Sequence, residues 1–232
     1  MRIMEEIKNI INIAIDGPSG AGKSSVSKLV AKKIGFLYLD TGAIYRNLAY
    51  YFLQKGLKQE KEFNYKEKLK KLNLKISYVD GKQEIRINNV FFDEYIRTDE
   101  ISKAASFVSR DFFVREFVLK IEREFAKINN VIMDGRDIGT VVLPQASLKI
   151  FLTASLDVRA KRRFNQLKLE GLNCEFSKVL KDMEKRDFKD SNRKIAPLKV
   201  ANDAIVLNTS SLNLHKTVEL VVDLIKSKVL EV

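Results

Sequence analysis

Residues Gly17-Pro18-Ser19-Gly20-Ala21-Gly22-Lys23-Ser24 follow the apolar run Ile11–Ile15 after a single Asp16 and precede an amphipathic stretch. The spacing is G-x-x-x-x-G-K-[ST], set between a strand and a helix, which is the context in which this motif cradles phosphates. Glycines let the backbone curl so that successive N–H groups and the start of the following helix face a polyphosphate. Lys23 then reaches the β- and γ-phosphates, Ser24 offers a hydroxyl to Mg²⁺, and Ser25 lies alongside. A chance glycine turn before a helix would not supply the lysine, the hydroxyl and the strand together. The chain is therefore expected to bind a nucleoside triphosphate.

The motif demands a parallel α/β sheet, and 232 residues with 45% hydrophobic content are enough to bury one. Five apolar segments read as its strands: Ile11–Ile15, Phe36–Leu39, Val131–Met133, Leu148–Leu152 and Ala204–Leu207. Four of them run into polar or glycine-containing turns, at Asp16–Ser19, Asp40–Ala43, Asp134–Gly139 and Thr153–Asp157. Ligands of open α/β sheets bind beyond the carboxyl ends of the strands, so these turns predict a site along one sheet edge. Helical spacing fills the intervals: Ser24 to Ile34, stopped by Gly35; Ile101, Ala104, Ala105 and Val108 after Thr98; then Val114, Phe117, Val118, Ile121 and Phe125. The pair Phe112-Phe113 reads as core packing.

Between Leu74 and Phe92 the pattern changes to period two, with Leu74, Ile76 and Tyr78 on one side, an Asp80-Gly81 turn, then Ile85 and Ile87 before Asn88-Asn89. This predicts a small antiparallel insert, either a substrate-binding lobe or a decoration of the core. No apolar run approaches the roughly 20 residues that span a bilayer, and the start, with Glu5, Glu6 and Lys8, lacks a secretory apolar segment. A cytoplasmic, monomeric protein without membrane contact is expected. Cys174 stands alone and reads as an incidental thiol.

Forty-two Lys and Arg against thirty Asp and Glu give a formal charge of +12, which suits nucleic acid, a membrane surface or small anions. Much of the lysine alternates with acids, at residues 58–62 and 66–71, as on a solvated face. The arginines instead gather near the expected loops, where their planar fork suits phosphate. Arg46 follows Asp40 by six residues and Arg136 follows Asp134, so both can converge on an acceptor near the strand ends. Arg159, Arg162 and Arg163 share one helical face, where three cations repel unless an anion joins them. Such a lid would close over a transferring phosphoryl group.

His215 is the only histidine and reads as a surface residue near the C-terminus. A phosphate acceptor, largely dianionic near neutral pH, needs no general base, whereas a hydroxyl acceptor would call on Asp40, Asp134 or Asp137. The residues alone leave three possibilities: a nucleotide kinase, a kinase for another small acceptor such as UMP, AMP or an alcohol, and a basic RNA-binding NTPase. The last lacks the alternating basic and aromatic strand residues of common RNA-binding sheets.

The segments Ile13–Ser24, Leu39–Arg46, Ile96–Thr98, Asp134–Thr140 and Arg186–Arg193, followed by Ala196-Pro197-Leu198, together resemble the bacterial cytidylate kinase family over about residues 11–225. The resemblance implies transfer of the ATP γ-phosphoryl group to CMP or dCMP with Mg²⁺. It implies a P-loop core at 1–40 and 99–232 with a lid at about 154–172, and a monophosphate-binding region at 41–98 whose insert spans about 62–98. It implies that Arg46 and Arg136 hold the acceptor phosphate, with Asp40, Asp134 and Thr41 nearby. Ser106, Arg115, Asp137 and Arg193 would surround cytosine, Arg186 and Asp190 the ribose, and Arg159, Arg162 and Arg163 the ATP phosphates. Cytosine presents an amino donor where uracil has a carbonyl. An acceptor-lined pocket would therefore disfavour UMP by roughly 1–3 kcal/mol.

Overall fold

A computed structural model describes residues 10–58, 63–92 and 95–230. The N-terminal reading at Glu5, Glu6 and Lys8, and residues 59–62 of the lysine-rich stretch, lie outside them. All five expected strands form: β1 (Asn12–Asp16), β2 (Leu37–Asp40), β6 (Val131–Gly135), β7 (Leu148–Thr153) and β8 (Ile205–Asn208). They make one parallel sheet in the order β2-β6-β1-β7-β8. The insert is a second, antiparallel sheet of β3 (Leu74–Val79), β4 (Lys82–Ile87) and β5 (Val90–Phe91). Its two turns use left-handed residues, Asp80-Gly81 with φ 50° and 70°, and Asn88-Asn89 with φ 51° and 67°. These are the side chains that tolerate that conformation in tight hairpins.

The period-two alternation of β1 divides its side chains between two cores. Ile13 and Ile15 face α1 (Lys23–Ile34) and α8 (Leu214–Ile225), joining Val26, Val30, Val218, Val221 and Ile225. Ala14, with Leu39 and Met133, faces the opposite side. There α2 (Thr41–Gln54), α3 (Tyr65–Lys70), α4 (Asp99–Val108) and α5 (Phe112–Ala126) pack. Tyr65, Leu69, Ile85 and Ile87 join the same apolar cluster as Leu48 and Phe52. The insert therefore shares the core of α2 and does not build one of its own.

A third, smaller cluster of Ala160, Val179 and Met183 joins α6 (Leu156–Leu169) to α7 (Phe176–Ser191) as a helical hairpin, with half-buried Cys174 against it. The helical arm thus continues beyond residue 172. Two local expectations change. No loop separates Asp40 from a helix, because the Asp40 carboxylate accepts from the Ala43 N–H at 2.9 Å and starts α2 directly at Thr41. Phe112 and Phe113 are 56% and 41% exposed, because they open α5 and stack edge to face on each other beneath Lys66. His215 is on the surface as expected, paired with Glu219.

Candidate active site

Gly22 precedes α1 at φ 93° and offers no side chain to its first turn, which also carries no acid. By contrast a side chain caps each of α2 to α6 and α8. The N-terminus of α1 is thereby left to an anion, at the carboxyl end of the central strand β1. Ala21 and Pro18 are buried under the turn, while Ser24 and Ser25 face solvent. Gly20 packs on the arm: an added Cβ would meet Met183 Cε at 2.7 Å.

Lys23 is buried and donates to the Pro18 carbonyl at 2.8 Å, folding its ammonium into its own loop. Burial and then the Arg136 guanidinium push its pKa well below the ordinary lysine value. Asp134 and Asp16 oppose this shift only in part, so the protein leaves the ammonium incompletely compensated. Ser24 Oγ donates to Asp134 Oδ2 at 2.8 Å, and Tyr38 donates to Asp134 Oδ1 at 2.8 Å. Burial and the nearby Asp40 raise the Asp134 carboxyl, against Lys23 and these two donors. Burial keeps the Tyr38 phenol protonated and available to donate.

Next to β1 in the sheet lies β6, and next to that β2, so the sequence-predicted arginines enter from adjacent strand ends. Arg46, on the second turn of α2, donates to Asp40 Oδ2 at 2.8 Å. Arg136, just past β6, donates to Asp190 Oδ2 at 2.8 Å. Although burial opposes it, Arg136, Arg186 and Arg193 hold the Asp190 carboxyl below its usual value. Arg186 is exposed at its surface, yet the protein packed around its guanidinium, followed by Arg136, Arg46 and Arg163, lowers its pKa to about 10. The Thr41 hydroxyl donates to the Asp134 carbonyl at 2.7 Å, so its proton ties α2 to β6.

Asp137 is buried between two guanidinium groups: Arg115 of α5 donates to Oδ2, and Arg193 to Oδ1 at 2.8 Å. Ser106, Asp190 and Arg193 line one small cavity beside this cluster. Beneath it Glu122, two turns beyond Arg115 on α5, is buried, and burial followed by Asp137 raises its carboxyl to about 8.

The expected lid cations are engaged by the protein itself. Arg159 donates to Asp187 at 2.6 Å and to the Ser19 carbonyl at 3.0 Å; Arg162 donates to the Thr209 carbonyl at 2.7 Å. Internal acceptors thus relieve the repulsion that the shared face implied. Arg163 adds its charge near Arg186.

Asp16 ends the buried apolar strand β1 and stands outside the site residues expected from the sequence, although an acid in that position is a signal. Its carboxylate accepts from the N–H groups of Ile138 and Gly139 at 2.8 and 2.7 Å, at the start of the π-helical turn Ile138–Val142. The loop that begins the P-loop thereby holds the loop that carries Arg136 and Asp137. Burial raises the Asp16 pKa to about 6, against those two donors. The folded chain binds this proton more tightly than the unfolded chain, so the associated stability is complete below about pH 4 and lost as pH rises through about 6. The shift corresponds to about 3 kcal/mol at most. Urea unfolding between about pH 4.5 and 7 should show wild type losing much of this relative to the non-titrating Asp16→Asn. Parallel stability profiles for the two proteins would dismiss the titration.

Comparison with known proteins identifies the family. The family model for cytidylate kinase matches residues 13–227. A cytidylate kinase of Caldicellulosiruptor bescii is 45% identical, covering 92% of this chain and 95% of its own. One from Carboxydothermus hydrogenoformans is 42% identical over 94% and 98% of the two chains. A crystal structure of an uncharacterized protein from Eubacterium ventriosum, 14% identical, covers 94% of this chain and 99% of its own at a TM-score of 0.52, a likeness of fold alone. With a match running from Gly17–Ser24 through Arg46 and Arg136 to the α6–α7 arm, the chain belongs to the cytidylate kinase family.

Proposed function

We propose that the protein transfers the γ-phosphoryl group of ATP to the phosphate of CMP or dCMP, as a monomer in the cytoplasm, where both nucleotides occur. The observation that carries this reading is the strand order β2-β6-β1, which brings Arg46 and Arg136 to the strand ends beside the uncapped start of α1. One anion site beside another is what in-line phosphoryl transfer needs, since its catalysis is mainly positioning and charge neutralisation.

In this reading Lys23 and the N–H groups of Gly20 to Ser24 hold the ATP phosphates, and Arg46 with Arg136 aligns the acceptor oxygen. Ser24 and Asp134, a hydroxyl and a carboxylate 2.8 Å apart, form an oxygen donor pair of the kind that suits Mg²⁺. Among the described residues no three acids, histidines or cysteines cluster to hold a metal by themselves. The nucleotide phosphates would complete the coordination, and bound Mg²⁺ would neutralise charge on the donor phosphates. Asp137, fixed by Arg115 and Arg193, retains lone pairs toward a cytosine amino group, with Ser106 nearby; Asp190 and Arg186 face the ribose. Arg159, Arg162 and Arg163 reach the transferring group by exchanging their present acceptors for phosphate oxygens.

The test is ADP release with ATP and Mg²⁺ in the presence of CMP, dCMP, UMP, AMP, shikimate or RNA, or with no acceptor. CMP and dCMP should exceed UMP by at least about fivefold, matching the roughly 1–3 kcal/mol assigned to the base contact, and the other acceptors by more. ADP release that needs only RNA, or no acceptor, would overturn the assignment. In the same assay Arg136→Ala should lower turnover with CMP by about 10²–10³-fold while ATP affinity changes little. Unchanged CMP kinetics would remove Arg136 from the site.

A further inference from the structure

The edge of the parallel sheet at β2 is closed in an unusual way. The Leu37 N–H donates to the Asn130 carbonyl just before β6, so Leu37 and Leu39 turn their backbone groups toward β6, and Tyr38 and Asp40 turn theirs away from it. Both meet the insert. Tyr78 donates its hydroxyl to the Tyr38 carbonyl at 2.7 Å. Gln83 binds the Asp40 peptide with both ends of its amide: Oε1 accepts from the Asp40 N–H at 2.7 Å, and Nε2 donates to the Asp40 carbonyl at 3.3 Å. Tyr78 and Gln83 lie directly opposite each other in the β3–β4 hairpin. This cross-strand pair takes the place of a sixth strand along the last residues of β2.

The residue clamped in this way is the one that orients Arg46. Asp40 uses one carboxylate oxygen to cap α2 and the other to hold the Arg46 guanidinium at 2.8 Å. Gly42 keeps this fold-back open, since an added Cβ would stand 3.1 Å from both Arg46 Nη1 and Asp40 Oδ1. A shift of the Asp40 main chain moves its carboxylate, and the carboxylate moves the guanidinium. Gln83 itself sits on the insert and has no charge to offer a phosphate.

We infer that Gln83 is a positioning residue: its amide clamps the Asp40 peptide and thereby sets Arg46 for the acceptor phosphate, which makes the insert part of the acceptor machinery. The inference rests on the assignment of Arg46 to acceptor binding. Misplacing a binding group by about 1 Å can cost up to about 10²-fold. Gln83→Met, which keeps the side-chain length and removes the amide, is expected to raise the KM for CMP about tenfold with the KM for ATP within twofold. Gln83→Ala, leaving space instead of a misfitted chain, moves the same constant.

The second measurement is a double-mutant cycle, in which Gln83→Met added to Arg46→Ala should change the CMP constant by less than about twofold, because both act through one guanidinium. Tyr78→Phe serves as a matched control: it uncaps the same edge without touching Asp40, so it should lower stability but leave the KM for CMP in place. Equal effects of Gln83→Met on both substrates, full additivity with Arg46→Ala, or an equal rise in Tyr78→Phe would each reduce Gln83 to edge capping and overturn the inference. If Arg46→Ala itself leaves the CMP constant unchanged, the acceptor assignment falls and the inference with it. If Arg46→Ala raises that constant and both Gln83 variants do not, only the inference falls.

Discussion

Replacing Lys23 with Ala is expected to lower the single-turnover rate of phosphoryl transfer by about 10³-fold, the scale on which losing a preorganised donor to developing charge is felt. Lys23 is buried, bound to the Pro18 carbonyl of its own loop and depressed in pKa by burial and Arg136. Its ammonium therefore has little to gain from the protein and most to gain from phosphate. The variant loses a tether of the loop as well as a charge, so ATP affinity should fall too, by a smaller factor. Rapid-quench turnover at saturating ATP and CMP, set beside equilibrium nucleotide binding, separates the two losses. A fall in rate of less than tenfold at saturation would take Lys23 out of the chemistry.

Gly17→Ala is expected to cost about 3–5 kcal/mol of folding stability, adding overpacking to backbone strain. Gly17 adopts φ +149°, and an added Cβ would lie 2.0 Å from the Leu152 carbonyl oxygen. Leu152 is fully buried in β7, between β1 and β8, so its backbone cannot yield. Gly22→Ala provides the comparison: φ is +93°, but nothing lies within 4 Å of the added atom, which leaves only the left-handed conformation to be paid for, about 1–2 kcal/mol. Urea midpoints of the two variants should differ clearly. Equal midpoints would show that the approach of Gly17 to Leu152 carries no steric weight.

What could be read from the sequence follows the range of the forces involved. The five strands were legible because each is a short apolar run bounded by polar turns, and α1 was legible because Gly35 ends it in the left-handed conformation. The P-loop was legible for the same reason: its glycines, lysine and hydroxyl act within eight residues. The loop expected after Leu39 vanished because Asp40 caps α2 with its own side chain, an outcome decided by one rotamer. Phe112 and Phe113 looked like core because hydrophobicity says nothing about whether a helix start reaches the interior.

The site was legible in its cations and much less so in their partners. Arg159 to Asp187 and Arg136 to Asp190 join residues 28 and 54 positions apart, and no local pattern announces such pairs. Tyr38 and Gln83 were passed over because a tyrosine in a strand and an amide in a hairpin are unremarkable until folding sets them against Asp134 and Asp40, as is an acid in a helix, such as Glu122, until folding buries it near Asp137.

The acids that hold these arginines have a consequence for which anions the cleft admits. Arg46, Arg136 and Arg159, among the arginines proposed to meet phosphate, each hold a carboxylate of the same chain. An arriving anion must win its guanidinium from an attached competitor that is never diluted. A chloride or acetate ion brings no more charge than the aspartate it would displace, and it also pays the entropy of capture. A phosphate dianion brings nearly twice the charge and three oxygens, so it can take the fork and leave the aspartate to a neighbour. With the arginines in their proposed roles, the cleft would set a threshold: abundant monoanions fall below it and phosphorylated metabolites rise above it.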